Sequence, residues 1–367
     1  MALSPQHRAD IQGLRAIAVI AVILGHLFPS TIKGGFIGVD IFFVISGFVI
    51  TQQMMRSQAK SPHTFIRDFY YRRIKRILPA AVLVTAVSIY AAKYFLGPVV
   101  ANQTTLDGAW VSIFLGNFHF HDVAIDYFST GVQQSPLQHY WSLSIEEQFY
   151  LVWPALFAFL IVKLKNQSQR MAIVVVITSV SLALALYQSE ITGNPIFFAT
   201  QTRIWELAVG ALLVLNARSI QVPRFVIYFS FLVFMATAVM ITPTMQWPNI
   251  NSLPIIIATA VLLVNNPRVS PVSILQNKVI TYIGDISYVL YLWHWPILTI
   301  YKGYAAHFGV QEKIITIVAT IFLSVSTHHL FENPIRFSNR VKPLVGISIG
   351  LASILAFSAL LFSSYQG

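Results

Sequence analysis

The chain has 367 residues, 56% of them hydrophobic and only 10% charged, with a mean hydropathy of +0.68; a water-soluble domain needs a charged surface that this composition cannot supply, so the sequence reads as an all-α, polytopic membrane protein. It contains no cysteine, which excludes a disulfide framework, a thiolate metal site and a cysteine nucleophile. The formal net charge of +11 would suggest nucleic acid in a soluble protein, but basic residues crowd the cytoplasmic loops of membrane proteins for topological reasons, and no nucleic-acid partner is expected.

Hydropathy predicts eleven helical spans, near 16–32, 36–55, 78–96, 143–162, 171–188, 201–216, 225–242, 253–265, 279–301, 313–331 and 343–363. The shorter apolar segment TLDGAWVSIFLGNF at 105–118 is expected to be re-entrant or interfacial, because a crossing there would invert every later loop. The first apolar run lacks a small-residue cleavage pattern, so the first helix is retained. With the N-terminus in the cytoplasm, nineteen of the 24 Lys and Arg fall on cytoplasmic segments, and the C-terminus lies outside. A chain ending LLFSSYQG after an outward-going helix is expected to lead into an extracytoplasmic domain. There is no clear internal repeat or low-complexity segment.

Ionisable residues inside spans are costly and mark functional candidates. In RAIAVIAVILGH, Arg15 and His26 are eleven residues apart. On a helix that is about three turns and about 16 Å, so both side chains share a face and cover roughly half a bilayer core. His26, near the midplane of the expected span, is either a general base for a hydroxyl nucleophile or a packing histidine. Asp40, in GGFIGVDIFFVISGF, either orients His26 and assists proton removal or is a helix-start carboxylate favoured by the macrodipole. The glycines around it permit close helix packing. The loop FYYRRIKRILP brings Arg72, Arg73, Lys75 and Arg76 together just before a helix. Such a cluster either holds the phosphates of a coenzyme A thioester or serves topology and lipid head groups.

HYWSLSIEEQFYLVWP enters the fourth span with Glu146 and Glu147 about 100° apart, so at most one is expected to face the interior. Between Trp141 and Tyr150 such a carboxylate reads either as part of an aromatic-walled cavity for a sugar or as part of an interfacial belt. Arg203 and Glu206 in TRIWELAVG are three apart on one helix face and can pair. His294 lies between two tryptophans in YVLYLWHWP, as a packed histidine or part of a donor channel, and Arg336 in FENPIRF either joins the phosphate cluster or fixes topology. His119 with His121, and His328 with His329, lack a third ligand at helical spacing, so no metal is expected. There is no Walker loop, GxSxG elbow or dinucleotide fingerprint.

Taken in order, the Arg15 and His26 pair, GVDIFFVISGF, YYRRIKRILP, WSLSIEEQFYLVWP, RIWELAVG, YVLYLWHWP and FENPIR, over about residues 8 to 337, resemble the membrane acyltransferase family three, and within it the bacterial O-acetylases of O-antigen and other surface polysaccharides. The resemblance implies transfer of an acetyl group from cytosolic acetyl-CoA, a donor substrate rather than a bound cofactor, to a hydroxyl of a lipopolysaccharide O-antigen or similar glycan at the outer face of the inner membrane. It implies a ten-helix acyltransferase domain over 1–340, and an additional helix over 341–367 leading to a periplasmic SGNH-type domain. It makes His26 the essential histidine, Arg15 its partner, Arg72, Arg73 and Arg76 the basic motif, and Glu146, with Glu147 beside it, the acid of the WSL motif. In the mechanism expected from residues and resemblance together, donor phosphates dock on the cytoplasmic arginines and the thioester reaches His26. His26, oriented by Asp40 or Glu146, then deprotonates the acceptor hydroxyl. The reading from another class is a proton-coupled transporter or flippase using the same residues as a relay; a third is a non-catalytic scaffold.

Overall fold

The computed structural model describes residues 8–56, 62–123, 133–191, 197–216, 222–242, 245, 247–264, 272–305 and 307–338. Every helix and turn of helix among them follows in chain order as α1 (Ala9–Leu27), α2 (Ile37–Arg56), α3 (Pro62–Phe95), α4 (Gly97–Ser112), α5 (Gly116–Asp122), α6 (Tyr140–Lys163), α7 (Gln167–Ile191), α8 (Ile204–Leu215), α9 (Arg224–Met240), α10 (Leu253–Val264), α11 (Lys278–Asp285), α12 (Ser287–Tyr304), α13 (Val310–Thr327) and α14 (Asn333–Phe337), with short 3-10 turns between some of them and a π-helical turn over His328–Glu332. The described residues contain no strand. The eleventh span expected at 343–363, and with it the 341–367 segment, lies outside the described residues.

Among the described residues, six helical stretches are long and apolar enough to cross a membrane: α1, α2, α3 from Ile66, α6, α7 and the continuous Val310–Phe337 run. The chain is therefore a multi-pass membrane protein with an all-helical fold. The spans expected at 201–216, 225–242 and 253–265 exist as apolar helices, each shorter than the six crossing stretches. At 12 residues α8 is about 18 Å long, well under a bilayer core. Hydropathy registers apolar composition and not where a helix stops. The ninth span breaks at Ile286 into α11 and α12. The 105–118 segment is likewise no single span, since α4 and α5 are separated by a turn in which Phe114 takes a φ of 56°.

The chain divides into two compact units, one comprising residues 1–56 and 156–287, the other 57–155 and 288–367. In the first unit α2 is the centre: it packs on α1, α8 and α10, and its crossing segment is the most buried of the six. The hydrophobic effect does not draw helices together in lipid, so close approach depends on small residues. A Cβ on Gly47 of α2 would overlap the Leu207 carbonyl of α8, one on Gly210 would overlap the Val44 carbonyl, and one on Gly38 would overlap the Ala18 carbonyl of α1. Gly47→Leu is accordingly expected to destabilise the first unit by about 1–3 kcal/mol, the range for overpacking a close contact, read as a lower apparent Tm in detergent. An exposed change such as Phe229→Leu, at a residue 61% exposed, should leave it unaltered.

In the second unit α6 runs antiparallel to α3. Tyr140, at the start of α6, donates its hydroxyl to the Ala81 carbonyl at 3.1 Å, while the Tyr70 hydroxyl donates to the Leu151 carbonyl at 2.6 Å. The segment Ser135–His139 leading into α6 is buried. On α13, Thr316, Thr320, Ser324 and Thr327 recur at helical spacing and are buried, whereas Ile314, Val318, Ile321 and Phe322 are exposed. This is the inverse of a soluble amphipathic helix, as expected where the outside is lipid.

Candidate functional site

In the first unit, Arg15 and His26 both lie on α1 and are half-buried, three turns apart as their spacing requires. The helix runs earlier than the expected 16–32, so His26 sits in its last turn and not at the centre of a span. Two local causes fix the ends. Arg8 donates from Nε and a terminal nitrogen to Asp10 and reaches the Leu263 carbonyl, which starts the helix early; Pro29 disfavours helical backbone at Phe28 and ends it. Arg15 donates to the Gln12 side-chain oxygen at 3.3 Å.

Arg203 and Glu206 pair as the sequence indicates, at 3.0 Å, and a third charge completes the cluster. The same guanidinium nitrogen donates to Asp40 Oδ1 at 2.9 Å, and the Trp247 indole N–H donates to that oxygen at 3.0 Å. Phe197 lies under the guanidinium at 4.7 Å. Asp40, Arg203 and Glu206 are each at most 1% exposed. Two carboxylates thus share one guanidinium. Asp40 therefore belongs to a buried ion cluster, and Arg203 and Glu206 are packed within it.

In the second unit the basic motif lies inside α3 rather than in a loop before it. Helical spacing divides it. Arg72 is exposed, whereas Arg73 turns towards α6, 3.6 Å from Glu147 Oε1 and with its guanidinium 3.4 Å from the centre of the Tyr150 ring. Lys75 is 8% exposed, lies over the Tyr71 ring and donates to the Ser338 carbonyl. Arg76 is half-buried and close enough to act electrostatically on Glu147. Glu146 accepts a hydrogen bond from the Tyr150 hydroxyl at 2.9 Å. Glu147 thus turns towards α3, whereas Glu146 bonds to a residue of its own helix, and both are half-buried. Tyr150 meets Glu146 because it lies one turn on, at i+4, and its ring also faces the Arg73 guanidinium. Glu147 is seven residues into α6, about 10 Å from the helix start.

Trp141 is fully buried. His294, 2% exposed, is within hydrogen-bond distance of the Tyr291 carbonyl at 2.6 Å and packs among His139, Tyr291 and Trp295. Arg336 keeps 38% of its side chain exposed and lies 3.8 Å from Glu332, which also pairs with His328 at 2.8 Å. Sequence reasoning missed Trp247 as an Asp40 partner, the buried Gln138 and His139, and a close contact between Asp107 Oδ1 and His119 Nε2 at 2.7 Å. For the last a signal existed. Asp107 is the only acid in the apolar 105–118 stretch, a position that is costly to charge without a partner.

Comparison with known proteins adds a family. An acyltransferase domain family matches residues 8–363. Relatives include the peptidoglycan O-acetyltransferase OatA of Listeria monocytogenes, 32% identical over 354 residues, covering 91% of this chain and 56% of the relative. The O-acetyltransferase OatA of Staphylococcus aureus is 32% identical over 352 residues, with 91% and 58% covered. The putative peptidoglycan O-acetyltransferase YrhL of Bacillus subtilis is 31% identical over 366 residues, with 90% and 56% covered. The chain spans a little over half the length of these curated relatives. No solved structure matches it.

Proposed function

Because the chain belongs to the acyltransferase domain family, we propose that it transfers an acetyl group from acetyl-CoA to a hydroxyl of a cell-surface glycan across the bacterial cytoplasmic membrane. The N-terminus is then cytoplasmic and the C-terminus extracytoplasmic, with an acyltransferase domain to about residue 340. The names of the relatives favour peptidoglycan over O-antigen as the first acceptor to test. What supports the reading most is α1, which carries a guanidinium and an imidazole on one face three turns apart, with only apolar residues between them.

In this reading His26 takes the proton of the acceptor hydroxyl as its oxygen attacks the thioester carbonyl. The C–S bond breaks and the proton leaves with the coenzyme thiol. The exposed Arg72 and Arg336 of the second unit meet donor phosphates, for which guanidinium is suited by its bidentate geometry, and Arg15 assists donor binding from the helix that carries His26. Arg73 and Arg76 have a different task, to hold Glu147 and, through Tyr150, Glu146. Asp40, Arg203, Glu206, Trp141 and His294 support the scaffold from buried positions.

The roles of the arginines can be separated. Arg72→Ala is expected to raise the KM for acetyl-CoA about tenfold or more, the value of one charge-assisted hydrogen bond, with apparent Tm unchanged. Arg73→Ala is expected to lower apparent Tm, because it strands Glu147. Equal KM effects without a Tm difference would contradict this division. For the function as a whole, the purified chain in detergent is incubated with radiolabelled acetyl-CoA and peptidoglycan fragments. Transfer of label without a sealed compartment is expected, whereas a requirement for vesicles and a gradient would favour the transporter reading.

A further inference from the structure

We propose that Glu332 and His328 of the second unit are positioning residues for donor binding, which set the Arg336 guanidinium to meet a phosphate of the acyl donor; this deepens the acyl-transfer reading above and rests on it. His328, Glu332 and Arg336 follow one another at intervals of four residues across the π-helical turn and into α14, and so form one row on the helix. The row runs from the interior outwards. His328 is 7% exposed and Glu332 1%, whereas the Arg336 side chain is 38% exposed.

The contacts give each member one task. Glu332 Oε2 lies 2.8 Å from His328 Nδ1, and His328 Nε2 lies 3.0 Å from the Asn333 side-chain nitrogen. An amide nitrogen can only donate, so Nε2 accepts and Nδ1–H is the donor to the carboxylate. Both ring nitrogens are used and the tautomer is fixed. Glu332 Oε1 then faces Arg336 Nη1 at 3.8 Å. That contact engages one corner of the guanidinium and leaves the other N–H groups to an anion. A buried carboxylate is costly to charge, and a turn that served packing alone would have no use for one that joins a buried imidazole to an exposed cation.

The row is also fastened to the basic motif. The π-helical turn and α14 both pack on α3, and Lys75 of α3 donates to the Ser338 carbonyl just past α14. Arg336 therefore stands on an element tied to the helix that carries the exposed Arg72. Two effects of Glu332 on an arriving phosphate oppose each other: its charge repels the anion, and its contact restricts a long side chain to one pose. Repulsion at an exposed guanidinium is screened by salt and the restriction is not, so positioning is expected to win.

In the test, the full chain in detergent transfers label to peptidoglycan fragments from two radiolabelled donors, acetyl-CoA and S-acetylpantetheine, whose thioester arm carries no phosphate. Glu332→Gln is expected to raise the KM for acetyl-CoA about three- to tenfold, part of the worth of one charge-assisted hydrogen bond. Its kcat and its KM for S-acetylpantetheine should stay unchanged, whereas a packing role would move both donors together. Added to Arg336→Ala, Glu332→Gln should raise the KM no further, because the two act through one contact. Should Glu332→Gln fail to fold, as apparent Tm would show, His328→Gln decides by the same comparison of donors. A KM for acetyl-CoA that is unchanged or lower, a shift shared by both donors, or effects that multiply in the double variant overturn the inference and leave the acyl-transfer reading standing. An unaltered chain that labels nothing from acetyl-CoA removes both.

Discussion

Replacing Arg203 with alanine is expected to destabilise the first unit by about 3–5 kcal/mol, the cost of stripping the counter-charge from buried acids. Its guanidinium lies 2.9 Å from Asp40 and 3.0 Å from Glu206, all at most 1% exposed. The count of charges makes a sharper claim than the single deletion does. With two carboxylates to one guanidinium, neutralising either acid leaves a balanced pair, and both Asp40→Asn and Glu206→Gln keep the oxygen that accepts from Arg203. Each single amide variant is thus expected to change stability by less than about 1 kcal/mol, whereas the double variant leaves an uncompensated buried cation and should lose several. Apparent Tm of the four proteins in one detergent checks this. Additive losses across the double variant would show that the cluster does not behave as a charge-sharing unit.

That cluster also marks how far the sequence could be read. The spacing of Arg203 and Glu206 on one helix face gives their pairing directly, because i,i+3 neighbours meet whatever surrounds them. Asp40 lies 163 residues away from Arg203, and nothing local says that Gly47 and Gly210 let α2 and α8 approach closely enough to join it to the pair. The same limit explains Glu147 and Arg73. The chemistry of each was visible in its own motif, but their meeting depends on α6 running antiparallel to α3. Apolar periodicity located nearly every helix because lipid demands it over long stretches. It misplaced the ends, since Pro29 and the Arg8 to Asp10 contacts, not hydropathy, set where α1 stops and starts. It also could not separate α11 from α12, whose boundary falls next to Gly284, where the backbone of α1 at Gln12 comes too close for a side chain.

The position of His26 leads to the prediction with the largest effect on activity. His26→Ala is expected to reduce acetyl transfer from acetyl-CoA by about 10²–10⁴-fold, the contribution of a positioned general base. Stability should fall little, because the residue is half-buried in the last turn of α1 and most of the packing of that helix comes from Leu14, Ala18, Val19 and Val22. Arg15→Ala, three turns back on the same face, should act differently: it should weaken donor binding, raising the KM for acetyl-CoA, while leaving turnover of bound donor largely intact. The two variants distinguish chemistry from binding only if both fold, which apparent Tm establishes beforehand. A His26→Ala chain that acetylates its acceptor at the unaltered rate would remove the imidazole from the reaction. The base would then have to be sought on another element.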